Sequence, residues 1–258
     1  MSSFYEKAKY FHSLHVRGQP LVLFNIWDVG SAKAVESAGA LALATGSWSV
    51  AKANGWEDGE RVPLDFAISN LARIVGMTEL PVTIDLESGY GRTPEATGRT
   101  VEQSIDAGAV GCNLEDSEPA NGSLRPIAEQ VERIAYARKV AEARQLPYFI
   151  NVRSDVFFVQ AQPKTHEDER IAAVLERAKA YAAAGADGLF VPGLVNAASI
   201  GSVADASPLP LNIMVSDDTP SLRELASLGV ARVSHGPRPY VSAMKKLGVE
   251  ARAALHSQ

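Results

Sequence analysis

The sequence predicts an α/β protein, a single-domain (β/α)8 TIM barrel. Three observations carry that reading. Short apolar, β-favouring runs alternate eight times with longer helix-like stretches. The runs are continuously apolar, as strands buried on both faces of a parallel sheet are. The 258 residues match the ~250 of a typical barrel. The competing architecture is an open doubly wound sheet. Its dinucleotide fingerprint should follow the first strand, and Asn25-Ile26-Trp27-Asp28-Val29-Gly30 is not one. No linker or low-complexity stretch interrupts the chain, so residues 1–258 read as one domain.

Taken in order, the chain opens with Phe4, Ala8 and Phe11 on one helical face, so residues 1–18 are expected to dock a short helix on the barrel. Glu6, Lys7 and Lys9 break any apolar stretch a signal peptide would need. The predicted strands are Leu21–Ile26, Leu41–Thr45, Pro81–Leu86, Val110–Leu114, Tyr148–Val152, Gly188–Val191, Leu209–Met214 and Ala231–Ser234. The helices are expected to start near Ser31, Pro63, Thr93, Pro126, His166, Asn196, Thr219 and Pro237. Thr93-Pro94 and Thr219-Pro220 each put a capping hydroxyl before a proline suited to the first helical position. Gly39, Gly108, Gly185 and Gly229 each stand between a helix and the next strand, where a left-handed residue ends the helix.

Composition narrows the function. Twenty-five basic against 30 acidic residues give a net charge of −5. No basic block appears, so a nucleic-acid footprint is not expected. No run of ~20 apolar residues is present to span a membrane. The single cysteine, Cys112, excludes a disulfide framework or multi-cysteine zinc site and suits a reducing, cytoplasmic setting. It lies inside the fourth strand, as a buried small hydrophobe would.

Barrel enzymes carry their chemistry at the C-terminal ends of the strands. There the sequence places an acidic group, Asp85, Glu87, Glu115 and Asp116. Alternation along a strand would point Asp85 and Glu87 the same way. Facing carboxylates repel and take up protons unless a cation joins them. All-oxygen donors suit Mg²⁺, or Mn²⁺, better than zinc. The alternative is an ion-pair network with Arg92 or Arg153. Arg153 is placed to grip a substrate carboxylate with two prongs, or else to pair with Asp155 or Glu115. Gly46-Ser47-Trp48-Ser49 reads as an anion-binding nest of backbone N–H groups, or as an ordinary turn. His235 is the one histidine expected at a strand end, whereas His12, His15, His166 and His256 are expected to be solvated. No lysine ends a strand and no Gly-x-Ser-x-Gly elbow occurs, which argues against Schiff-base and triad chemistry.

Several segments together resemble the isocitrate lyase/phosphoenolpyruvate mutase superfamily. They are Asn25…Ala32-Lys33, Gly46-Ser47-Trp48-Ser49…Asp58, Asp85-Leu86-Glu87-Ser88-Gly89-Tyr90-Gly91 and Leu114-Glu115-Asp116, with Arg153 and Gly236-Pro237. The likeness runs from about residue 20 to about residue 245. It implies a barrel that binds Mg²⁺ and a small 2-oxo or 2-hydroxy carboxylate, and that acts beside the carbonyl through a metal-stabilised enolate. It also implies a homodimer or homotetramer that exchanges a C-terminal helix. Position by position, Asp85 resembles the main metal carboxylate, and Glu87 a longer variant of an aspartate ligand. Glu115 and Asp58 resemble further metal-shell carboxylates. Gly46, Ser47, Trp48 and Asn212 resemble substrate holders, with Arg153 as the cationic partner.

Two departures narrow the branch. The tricarboxylate lyases carry Lys-Lys-Cys-Gly-His after strand four, whereas this loop reads Ser117-Glu118-Pro119-Ala120-Asn121-Gly122-Ser123-Leu124-Arg125. That argues against isocitrate or methylisocitrate lyase activity. The P–C branch has a histidine after strand six, where this chain has Val191-Pro192-Gly193. Pro192 and Asn212 resemble the lyase and decarboxylase side, and the chain matches no branch completely. The function the resemblance implies is Mg²⁺-dependent C–C cleavage, by a lyase or decarboxylase type of reaction, with Asn121 or His235 handling the proton. The alternatives are phosphonopyruvate-type P–C chemistry and a non-catalytic carboxylate-binding barrel.

Overall fold

The computed structural model describes residues 3–158 and 166–256. Eight parallel strands appear where the apolar runs predict them. They are β1 Leu21–Leu23, β2 Leu43–Ala44, β3 Val82–Asp85, β4 Gly111–Glu115, β5 Phe149–Arg153, β6 Gly188–Phe190, β7 Leu211–Met214 and β8 Arg232–Ser234. Neighbours pair in the order β1-β8-β7-β6-β5-β4-β3-β2. The last seam, between β1 and β2, closes on a single parallel bridge, Ile26 to Thr45. The result is a nearly closed barrel in one domain.

Helices follow the strands: α1 Phe4–Ser13, α2 Val29–Ser37, α3 Ser47–Ala53, α4 Leu64–Val75, α5 Pro94–Asp106, α6 Ile127–Ala143, α7 Glu167–Ala183, α8 Ala197–Ala206, α9 Leu222–Ser227 and α10 Arg238–Leu255. Thr93 caps α5, with Pro94 at its first position, as expected. Thr219 does not cap α9. Ser221 does, because Glu224 three residues on completes a capping box with it. The Thr219 hydroxyl instead accepts the Ser216 N–H in the preceding turn. Gly108, at φ +93°, ends α5 in the left-handed region.

Strand side chains and the inner faces of the helices form one continuous apolar core. The helix α1 packs across the N-terminal ends of the strands. Phe11 is fully buried and meets Phe149, the first residue of β5, edge to face. His12 and His15 are not solvated as expected. The His15 ring stacks on Phe149 at 3.9 Å between centroids and bonds Phe11 O. Burial, then the Arg232 charge, lowers its pKa to about 3. Cys112 is a buried free thiol, and burial pushes its pKa up to about 12. Among the described residues, no helix is long and apolar enough to cross a membrane.

The end of the chain is different. Of the 18 residues of α10, only Pro239 is buried, and Val241, Met244, Leu247 and Val249 lie exposed. On β1, Val22 and, just beyond it, Phe24 are also left open.

Candidate active site

The C-terminal strand ends surround a cavity of about 240 Å³ whose walls include Asn25, Ser47, Trp48, Asp58, Asp85 and Arg153. A wider mouth of about 400 Å³ continues past Asp58, Glu87, Glu115, Ser117 and Asn121. The barrel fold thus brings together residues from five strand ends and the three loops after β2, β3 and β4.

Asp85 ends β3. Its N–H donates to the Thr45 hydroxyl at 3.1 Å, which fixes the strand end against β2. Its Oδ2 accepts the N–H of Ser47, the first residue of α3, at 3.2 Å. Gly46 is buried beside Asn25, where an added Cβ would make ordinary contact with that side chain at 3.5 Å. Asn25 is an organiser: its Oδ1 accepts the N–H groups of His235 and Gly236, and its amide donates to Thr45 O. It ties β1, β2 and the β8 end into one rim.

Strand alternation does not reach Glu87. The strand stops at Asp85, and Glu87 sits at φ +50°. Its side chain, 3 % exposed, turns to the loop after β2. There Oε2 accepts the N–H groups of Gly59 and Glu60 at 2.8 and 2.6 Å, and Oε1 accepts the Tyr90 hydroxyl at 3.1 Å. Glu87 still adjoins Asp85, since its N–H lies 3.4 Å from Asp85 Oδ1.

Both pairings expected of Arg153 occur together. Its Nε donates to Asp155 Oδ1 at 2.6 Å and its Nη1 lies 2.8 Å from Glu115 Oε2. Its guanidinium also covers the Phe158 ring at 4.9 Å. Burial works against the charge, but Glu115, Asp155 and Asp85 more than compensate, so the guanidinium pKa is raised. Asp116 faces away from the cavity. Fully buried, it accepts from Arg177, from the Tyr181 hydroxyl and from the Asp155 N–H, anchoring the loop after β4.

The acidic residues push one another's pKa values up. Burial first, then Asp58 and Asp85, raises Glu87 to about 8. Asp58, on the rim, is raised by the surrounding protein and by Asp85, with the Ser47 hydroxyl offsetting part. Glu115 is raised by burial, against the pull of Arg153. Such a mutually repelling, all-oxygen set fits a bound cation that would relieve the repulsion. Among the described residues, no three His, Cys, Asp or Glu side chains form a ready-made metal cage. An ion such as Mg²⁺, which takes one or two carboxylates and keeps its waters, would need no such cage, and Asp85 and Asp58 are the carboxylates that line the cavity.

Two expected residues lie outside the 240 Å³ cavity, and a third stands at its mouth. Ser234 faces inward, so His235, one residue on, turns outward and packs its ring on Phe24 at 4.9 Å. It does not border the 240 Å³ cavity. Asn212 is buried behind the wall, its amide closed onto the Ser234 hydroxyl. Asn121 stands exposed at the mouth, its Oδ1 held by the Ser123 N–H and hydroxyl.

Four residues were not anticipated as contributors: Asn25 in the rim role, Glu60, Tyr90 and Arg232. Arg232 is 1 % exposed, donates from Nη2 to Asn113 Oδ1 at 3.1 Å under the cavity floor, and has Nε and Nη1 without partners. Burial lowers its pKa to about 9, while Asp85 supports its charge. A charged residue inside an apolar strand, Ala231-Arg232-Val233, was the available signal.

Comparison with known proteins agrees with this fold. The family model for phosphoenolpyruvate phosphomutase matches residues 11–255. The 2-methylisocitrate lyase of Escherichia coli is 30% identical over 242 residues, covering 89% of this chain and 78% of the enzyme. A crystal structure from Burkholderia cenocepacia, provisionally assigned as a phosphonomutase, is 55% identical with a TM-score of 0.94, covering 98% of this chain and 100% of that one. A phosphonopyruvate hydrolase solved with oxalate and Mg²⁺ shares the fold, at 20% identity and a TM-score of 0.82 over 97% of this chain and 88% of that one. The chain belongs to the phosphoenolpyruvate phosphomutase family, within the isocitrate lyase/phosphoenolpyruvate mutase superfamily.

Proposed function

We propose that the protein is a Mg²⁺-dependent enzyme that cleaves a C–C bond beside the carbonyl of a small 2-oxo or 2-hydroxy carboxylate. The observation that carries this reading is the meeting of Asp85, Asp58 and Arg153 on one cavity. Asp85 and Asp58 would hold the ion, with Glu87 and Glu115 behind them. When bound, Mg²⁺ would supply Lewis-acid polarisation of the substrate oxo oxygen. Arg153, preset by Glu115 and Asp155, would grip the substrate carboxylate. The first-turn amides of α3, at Ser47 and Trp48, would add fixed dipoles where negative charge grows. Trp48 and Phe158 line the cavity and restrict water. Glu115, which borders the mouth and is ion-paired to Arg153 at 2.8 Å, would accept the proton in place of His235 or Asn121. Asp85→Ala and Arg153→Ala should each abolish turnover of a 2-oxo diacid. Intact turnover in both would refute these roles.

A second reading is favoured by one observation, the 55% identity to the provisionally assigned phosphonomutase. The same site would then act on phosphonopyruvate. Incubation with Mg²⁺ followed by ³¹P NMR separates the two, because an unchanged phosphonate signal removes this reading.

We also propose that the protein is a cytoplasmic homodimer or homotetramer. The open apolar side chains of α10 and of Val22 and Phe24 suit exchange of α10 between copies. Light scattering of the full chain should show an oligomer, and removal of residues after Pro237 should give a monomer.

A further inference from the structure

Two loops at the rim exchange carboxylates. From the loop after β3, Glu87 Oε2 takes the N–H groups of Gly59 and Glu60, and Oε1 takes the Tyr90 hydroxyl. From the loop after β2, Glu60 Oε1 returns to accept the Tyr90 N–H at 2.7 Å and the Ser88 hydroxyl at 2.6 Å. Each loop thus satisfies the other's backbone donors. The backbone shows the same concentration. Four non-glycine residues have positive φ among the described residues, and three of them, Glu60 (+58°), Glu87 (+50°) and Tyr90 (+53°), belong to this exchange. Such conformations persist only where the surroundings over-determine them. Here the surroundings are the reciprocal carboxylates.

We propose that Glu60, Glu87 and Tyr90 form a latch that holds residues 58–60 against the rim, and that the Glu87 carboxylate serves this latch instead of a cation. Asp58 is the residue positioned, since it immediately precedes the two amides that Glu87 holds and borders the same cavity as Asp85. Both lone-pair directions of Glu87 Oε2 are spent on amides, so turning it toward an ion would leave the Gly59 and Glu60 donors unmet. Glu60 and Glu87 are positioning residues, acting through Asp58. The idea leans on the proposed cation site only for what Asp58 is positioned to do. The latch itself is a property of the protein alone.

The test separates shape from charge. A glutamine keeps one carbonyl oxygen, enough for the Gly59 and Glu60 amides at position 87 or the Ser88 and Tyr90 donors at position 60, and can never carry negative charge toward an ion; at position 87 its NH2 would donate to the Tyr90 hydroxyl instead of accepting from it; an alanine removes both the acceptor and the charge. Hydrogen exchange of the 57–61 segment is measured on the metal-free full chain, and Mn²⁺ binding by calorimetry, with thermal melts confirming that each variant folds. Glu60→Ala and Glu87→Ala should speed exchange of that segment by ~10-fold or more and weaken Mn²⁺ binding by roughly 10-fold. Glu60→Gln and Glu87→Gln should restore both to within about threefold of the parent protein. Exchange unchanged in Glu60→Ala would overturn the latch. So would a Glu87→Gln protein that exchanges like the parent yet loses Mn²⁺ as badly as Glu87→Ala, because charge on the ion would then be its role. If the parent binds no Mn²⁺, the cation reading fails and the exchange comparison still decides the latch.

Discussion

Glu87→Gln should remove a pH dependence from the stability of the metal-free protein. In the fold, burial and then the Asp58 and Asp85 charges raise the Glu87 carboxyl from 4.5 to about 8. Below the lower value both folded and unfolded chains carry the proton. Between the two, the folded chain keeps a proton that the unfolded chain has released. Stability therefore falls as pH rises through this window, by about 1.4 kcal/mol per pH unit. Over the whole interval the loss from this one group approaches ~5 kcal/mol as an upper bound, and charge relaxation will lower it. Glutamine copies the protonated carboxyl and does not titrate. Urea unfolding in chelator, from about pH 4 to about pH 9, should show the two proteins equally pH-sensitive in their other groups. The variant should gain on the parent steadily above pH ~5 and be the more stable protein by several kcal/mol at pH ~9. Saturating Mg²⁺ should narrow that gap, because the ion relieves the same repulsion. Parallel curves across this range would refute the argument that Glu87 is a protonated carboxyl in the ion-free fold.

Other perturbations test the scaffold. Asp116→Ala strips a buried acceptor from Arg177, Tyr181 and the Asp155 amide, and should cost ~3–5 kcal/mol by urea unfolding. Phe11→Ala empties a fully buried ring site beneath Phe149 and should cost ~3–5 kcal/mol in the same assay. Arg232→Met replaces a buried guanidinium that has two unpartnered nitrogens and no ion pair among the described residues. Its melting temperature should stay level or rise, as for other buried charges exchanged for apolar side chains, and a large fall would show a compensating partner for that charge.

The barrel was legible because its signals are local. Each strand is a short apolar run, and glycines such as Gly108 stop the helices in the left-handed region. The seven-residue α3 escaped notice because Gly46-Ser47-Trp48-Ser49 has the composition of a turn. The acidic group was visible as residue types at strand ends, but its orientation was not. Alternation holds only as far as the strand does, and β3 ends at Asp85, so the rule failed at Glu87. His235 likewise lies just past the end of β8, and its ring packs on Phe24 instead of lining the cavity. Glu60, Tyr90 and Arg232 answer to partners brought close only by the fold. Arg232 bonds Asn113 across 119 residues of sequence, and no spacing rule reaches that far.

The most direct test of the central claim is mass spectrometry of the purified protein with Mg²⁺ against small 2-oxo, 2-hydroxy and phosphonate acids, with Asp85→Asn in parallel. The account predicts that at least one 2-oxo or 2-hydroxy acid is split at the C–C bond beside its carbonyl or hydroxyl carbon, and that chelator or Asp85→Asn abolishes the products. Cleavage that survives both, or a panel that returns no C–C product at all, would contradict it.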